Sequence, residues 1–220
     1  MTGIIFHFRF GTVFITRSNY NNNISIKEVF LMEKKQSIST KKIVLAALMA
    51  ALTIVGSAIR VTMPIDIAGT TSFHLGNIMC ALSGILLGPW LGGLAAGLGS
   101  AIYDMFDPMY ISECWLTFLM KGAYGVAAGL VCHAGRKDWG YGKALLGTVA
   151  GAVTYAALYL AKSYFYGGLL LGGLTPEAAL LNVVSKLPAT TFNAAVAIIG
   201  APLLAITIRE ALKKSHLSLE

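Results

Sequence analysis

Lys121 lies in an apolar stretch about two helical turns, roughly 10 Å at 1.5 Å rise per residue, from the nearer end of its segment. An ionisable group at that depth faces a cavity or a partner, because an isolated ammonium in hydrocarbon is costly. Thr117 and Tyr124, at i−4 and i+3, extend Lys121 into a polar stripe, and Trp115 and Phe118 add aromatic surface beside it. A second stripe is formed by Asn182, Lys186 and Asn193, which fall within about 40° of one another on a helix at about 100° per residue. Pro188 interrupts the backbone bonding of that turn and frees a carbonyl. Tyr155 and Tyr159, spaced i and i+4, put two rings on one face of a third segment. Together these residues suit the capture of an aromatic small molecule with a polar or charged edge. Each also has a plainer use. Lys121 snorkels or pairs with Glu113 or Asp104, the asparagines join helices, Lys186 anchors at an interface, and tyrosines at a helix end form an interfacial belt.

Chemistry of other kinds leaves no trace. Gly140-Tyr141-Gly142-Lys143 is followed by Ala144 and lacks the spacing of a phosphate-binding loop. Neither H-E-x-x-H nor G-x-S-x-G occurs, and Gly99-Ser100 has no histidine deep in a later segment to activate it, so the chain does not read as an enzyme. Cys80, Cys114 and Cys132 share no metal-ligand spacing, and His74, with Asn77 at i+3, reads as a polar cap; no cofactor or metal is expected.

The elements that position these residues are membrane helices. Hydrophobic residues make up 56% of the 220, charged residues 12%, and mean hydropathy is +0.70, values that exclude an ordinary soluble domain. From Ile67 to Tyr103 there is no Lys, Arg, Asp or Glu, and Gly88-Pro89 breaks that run near its middle, as in a hairpin of two closely packed helices. Apolar segments at 41–61, 73–88, 89–106, 114–133, 143–166 and 183–208 predict an all-α integral membrane protein with six transmembrane helices. The second segment is short and suits a re-entrant or strongly buried helix.

Basic residues set the orientation. Lys34, Lys35, Lys41 and Lys42, then Arg136, Lys137 and Lys143, then Arg209, Lys213 and Lys214 fall on one side, which places both termini in the cytoplasm. The outer side receives Asp66, Asp104, Asp107, Glu113 and Glu177, with Arg60, Lys162 and Lys186 at helix ends, and carries the longer loops 62–72, 104–113 and 164–182. A net charge of +7 distributed in this way orients a membrane protein and does not point to nucleic acid.

Residues 1–31 are Asn-rich and mixed, with no full apolar span. They read either as a disordered leader or as an over-extended gene start. Lys27-Glu28-Val29 can be encoded by a purine-rich ribosome-binding sequence just ahead of Met32, where Met-Glu-Lys-Lys would begin an ordinary bacterial protein. Residues 32–220 form a single six-helix domain in this reading. Ala46/Ala50 and Ala47/Ala51 give the first helix two small-x-x-x-small pairs, suited to close approach by another helix, inside the domain or on a partner.

Several of these residues stand in a familiar arrangement. Lys41-Lys42 leading into the alanine pairs, Phe73-His74-Leu75-Gly76-Asn77, the stretch Ser83-Gly84-Ile85-Leu86-Leu87-Gly88-Pro89-Trp90-Leu91-Gly92-Gly93 continuing to Gly99-Ser100-Ala101, Asp104, and Lys186-Leu187-Pro188 resemble the substrate-binding S component of energy-coupling factor transporters. The similarity covers residues 38–210 and is nearest the branch serving riboflavin, pyridoxine and hydroxymethylpyrimidine; Asn77 stands where members of that branch often carry Asp. The resemblance implies a subunit in a bacterial cell membrane that captures a vitamin or precursor from outside. It would dock through the first helix onto a transmembrane coupling (T) subunit with two cytoplasmic ATPases. By position it places Ala46, Ala47, Ala50 and Ala51 on the docking surface, and Trp115, Lys121, Tyr155, Tyr159, Asn182, Lys186 and Asn193 in the pocket, under the loop between the first two helices. The competing expectation is a stand-alone proton-coupled carrier with Asp104 or Lys121 titrating, although six helices without an inverted repeat fit it poorly. A scaffold protein leaves Lys121 without a purpose.

Overall fold

The structure, a computed structural model, describes residues 5–8, 11–14, 40–63, 71–135 and 139–215. The chain divides into two compact units, Met1–Ile38 and Ser39–Glu220. In the first, strands β1 (Ile5–Phe8) and β2 (Gly11–Phe14) pair antiparallel, with Ile5 opposite Phe14. The expectation of a start at Met32 falls on residues outside those described.

In the second unit, α1 (Thr40–Ala58) runs into a short antiparallel hairpin, β3 (Arg60–Met63) with β4 (Thr71–His74), in which Arg60 faces His74. Helices α2 (Gly76–Leu87), α3 (Pro89–Met105) and α4 (Cys114–Cys132) follow, with a 3₁₀ turn at Ile111–Glu113 before α4. Helix α5 (Tyr141–Lys162) passes without a break into a π-helical segment, Ser163–Leu171, and α6 (Pro176–Lys214) completes the unit. Six α-helices are therefore present among the described residues. Four helical stretches, Thr40–Ala58, Ile111–Cys132, Tyr141–Leu171 and Pro176–Lys214, are long and apolar enough to cross a membrane. Among the described residues this membrane protein is all-helical apart from two small hairpins.

Helix α2 is the hub. At 12 residues it is only about 18 Å long at 1.5 Å per residue, yet it packs against α1, α3, α4, α5 and α6 and is buried along nearly its whole length, including Cys80, Ala81, Leu82 and Ile85. This is the strongly buried form of the second segment. The α2–α3 turn is made at Gly88, whose φ of 81° suits glycine, and Pro89 then starts α3, where its missing N–H costs nothing. Glycines bring α2, α3 and α4 to backbone contact: a Cβ on Gly84 would lie 2.2 Å from the Gly125 carbonyl oxygen, and one on Gly125 2.8 Å from Gly93 Cα. Packing at that distance supplies dispersion where lipid offers no hydrophobic drive.

Two expectations are corrected. The segment 164–182, read as an outer loop, is largely helical: the π turn extends α5, and α6 begins at Pro176 rather than near 183. Thr175 caps α6, its Oγ1 accepting from the Ala178 N–H at 3.4 Å, with Pro176 and Glu177 in the first turn. The loop 62–72 likewise carries strand structure at both ends. The two alanine pairs of α1 also part company. Ala46 and Ala50 pack onto the core, with the Ala50 carbonyl against Gly99 of α3, whereas Ala47 and Ala51 are exposed among Val44, Leu48 and Val55.

Candidate functional site

One end of the α3–α6 bundle, beside the β3–β4 hairpin, encloses a cavity of about 310 Å³, within the range of small-molecule sites. Its floor holds Lys121. The residue is 4% exposed, and its ammonium donates to Asn77 Oδ1 and sits 4.2 Å from the centre of the Tyr155 ring. Lys186, 5% exposed, stands over the Tyr159 ring at 5.9 Å. Tyr155 and Tyr159 are stacked at 5.7 Å, and Tyr124 continues the ladder at 5.9 Å from Tyr155. The i, i+4 spacing on α5 thus presents two parallel rings, each with a lysine over it, and each ring face attracts its cation.

The mouth is held by ion pairs. Arg60, at the start of β3, reaches Asp107 at 3.2 Å and Asp104 at 3.7 Å, donates from Nε to the Ser57 carbonyl at 3.1 Å, and lies over the rings of Tyr103 and Tyr110. Lys162 pairs with Glu113, tying the end of α5 to the 3₁₀ turn. Asn193 of α6 grips β4 with both ends of its amide: Oδ1 accepts from the His74 N–H at 3.0 Å, and Nδ2 donates to the Ser72 carbonyl at 2.8 Å. Phe73 meets Phe192 edge-on at 4.9 Å, reinforcing the attachment. His74 lines the cavity, and its Nδ1 is enclosed without a hydrogen-bond partner among the described residues. Burial, then the nearby Lys121 and Arg60 charges, hold its pKa well below the usual histidine value, so the imidazole is neutral at physiological pH.

Of the residues singled out in the sequence, Lys121, Tyr155, Tyr159, Lys186 and Asn193 line this cavity together. Trp115 does not. It is 53% exposed and makes an edge contact with Tyr166, because the first turn of α4 points it away from the bundle. Asn182 is also outside the lining: fully buried, it donates to the Ser163 carbonyl at 3.3 Å and joins α6 to the π segment. Asn193 lines the cavity while its amide is engaged with β4, which makes it a fastening for the hairpin. Sequence reasoning missed Arg60, His74 and Lys162 as site residues. Arg60 had a signal in the two aspartates, 104 and 107, placed on the same side of the membrane, but their meeting depends on how α1 and α3 end side by side.

Residues 37–210 match the family described as "ECF-type riboflavin transporter, S component". The chain is also 33% identical over 118 residues to the "Uncharacterized protein in gap 3'region" of Pyrococcus woesei, an overlap covering 54% of this chain and 74% of that protein. The family match, which spans nearly the whole helical unit, places the chain in the family of ECF-type riboflavin transporter S components, as a substrate-binding subunit of a membrane transporter.

Proposed function

We propose that this chain captures a vitamin or vitamin precursor at the outer face of a bacterial cytoplasmic membrane and delivers it in complex with a transmembrane coupling subunit and two cytoplasmic ATPases. All six helices cross or enter the bilayer, and both termini are cytoplasmic. The observation that carries this reading is the chamber itself, in which Lys121, Lys186, Tyr155 and Tyr159 converge at the end of the bundle opposite the basic Lys213 and Lys214. Riboflavin, named in the family's title, is one member of the ligand class.

Docking on the coupling subunit is assigned to the exposed small-residue face of α1, Ala47 and Ala51, while Ala46 and Ala50 serve it from within by letting α3 approach. Co-purification with two ATPases and a larger membrane subunit supports the proposal. Uptake by the chain alone in liposomes, driven by a pH gradient, would instead establish a stand-alone carrier. Ala47→Trp with Ala51→Trp should abolish transport and leave ligand affinity unchanged; loss of binding would mean that this face packs inside the domain.

A further inference from the structure

Lys121 reaches the cavity on a long, flexible side chain, yet its ammonium stands at one place over the Tyr155 ring. A ring face attracts a cation without fixing it sideways. The directional contact is the hydrogen bond to Asn77 Oδ1. Asn77 is 2% exposed and is not one of the residues that line the cavity, so it holds Lys121 from behind.

The backbone that carries Asn77 is itself fastened. The His74 N–H is held by Asn193, the Leu75 N–H donates to the Ile59 carbonyl at 3.4 Å, and the Ile78 N–H donates to the Leu75 carbonyl at 3.0 Å, closing the first turn of α2. Gly76 lies so close to α1 and β4 that a Cβ there would stand 2.6 Å from Ser57 Oγ and 3.2 Å from His74 Nδ1. Asn77 thus projects a short side chain from the helix that packs against α1, α3, α4, α5 and α6. It is a fixed point from which a mobile ammonium can be placed.

We infer that Asn77 is a positioning residue of the site: its amide oxygen sets where Lys121 stands, and Lys121 makes the contact with the ligand. An ammonium has three N–H groups. Asn77 takes one and the Tyr155 ring face draws another, so the remaining one is what Lys121 offers to the occupant of the cavity it lines. The inference rests on the transporter-subunit reading and adds to it a residue that acts on the ligand only through another.

The test uses the full-length chain in lipid nanodiscs. In the empty protein, nitrogen NMR signals of isotope-labelled lysine side chains are compared, with Lys121→Arg identifying the Lys121 signal by its loss. Asn77→Leu, which keeps the shape and removes the acceptor, should displace or broaden that signal; Asn77→Asp, which restores an acceptor oxygen at the same place, should return a single sharp one. Riboflavin is the binding probe, followed by its fluorescence. Asn77→Leu should weaken riboflavin binding at least about fivefold in the parent and less than about twofold in a Lys121→Met background, and Asn77→Ala takes its place should the leucine variant not fold. Equal weakening in both backgrounds would make Asn77 a structural residue and overturn the inference, as would a Lys121 signal unmoved by Asn77→Leu. Failure of the parent to bind riboflavin counts against the transporter-subunit reading instead, and the lysine signal alone then decides whether Asn77 places Lys121.

Discussion

The glycine seam between α2, α3 and α4 and the chamber among α3, α4, α5 and α6 share helices α3 and α4 and bury their contents by opposite means. In the seam, side chains are removed until backbones touch: Gly84 faces the Gly125 carbonyl, and Gly129 lies against Pro89. In the chamber, long polar side chains are brought together and satisfied by rings, amides and ion pairs. Helix α4 presents Gly125 and Gly129 to one and Lys121 to the other. The seam has one well-packed arrangement, so it can act as a rigid wall against which the chamber's cations are held at fixed depth.

The comparison is most directly broken at the seam. Gly84→Leu forces a side chain into the Gly125 backbone, and overpacking of this kind costs about 1–3 kcal/mol or more; the variant should lose its cooperative thermal transition and monodispersity, and a normal melting curve would deny the seam its role. Next in size, Lys121→Ala should weaken ligand binding at least about tenfold, or roughly 1.4 kcal/mol, by calorimetry with the purified ligand. Unchanged affinity would remove Lys121 from the site. Asn193→Ala deletes two hydrogen bonds to β4, each worth about 0.5–1.5 kcal/mol net. Ligand dissociation in stopped-flow should then quicken roughly fivefold, with little change in unfolding temperature; an equal off-rate would show that the hairpin does not restrain the ligand.

The smallest effect concerns pH. Below the unfolded-state histidine pKa of about 6.5, the unfolded chain takes up a proton that the native His74 resists, so stability falls as pH drops below about 6.5. His74→Gln should flatten that part of the stability curve, and an identical slope in the variant would place the titration elsewhere.

Much of this was legible in the sequence, for identifiable reasons. The α2–α3 hairpin was visible because a charge-free run broken by Gly88-Pro89 has few other structures open to it in lipid. Lys121 and the tyrosine pair, which line the cavity, could be singled out because depth and helical period are local properties of one segment. Trp115 was misplaced because an aromatic residue at a helix start carries no sign of which way the first turn faces. The stretch 164–182 was misread because its glycines and tyrosines resemble a loop, while the π turn that orders it depends on Gly168 packing against Ala179 of α6. Arg60 and His74 were invisible as site residues since a two-strand pairing brings them together, and pairing across residues 64–70 leaves no periodic mark.

The charge-free part of α6 sets a distance. Between Lys186 and Arg209 the helix has no Lys, Arg, Asp or Glu, a stretch of about 33 Å at ~1.5 Å per residue, which matches a hydrocarbon core of ~30 Å. Lys186 therefore stands at the rim of the oily layer, and the turns of α6 that precede it stand in the headgroups. With the chamber end facing outward, as proposed, a molecule held beside Lys186 has traversed almost none of the permeability barrier. Capture and crossing are consequently separate events, and the span still to be covered equals nearly the whole thickness of the hydrocarbon.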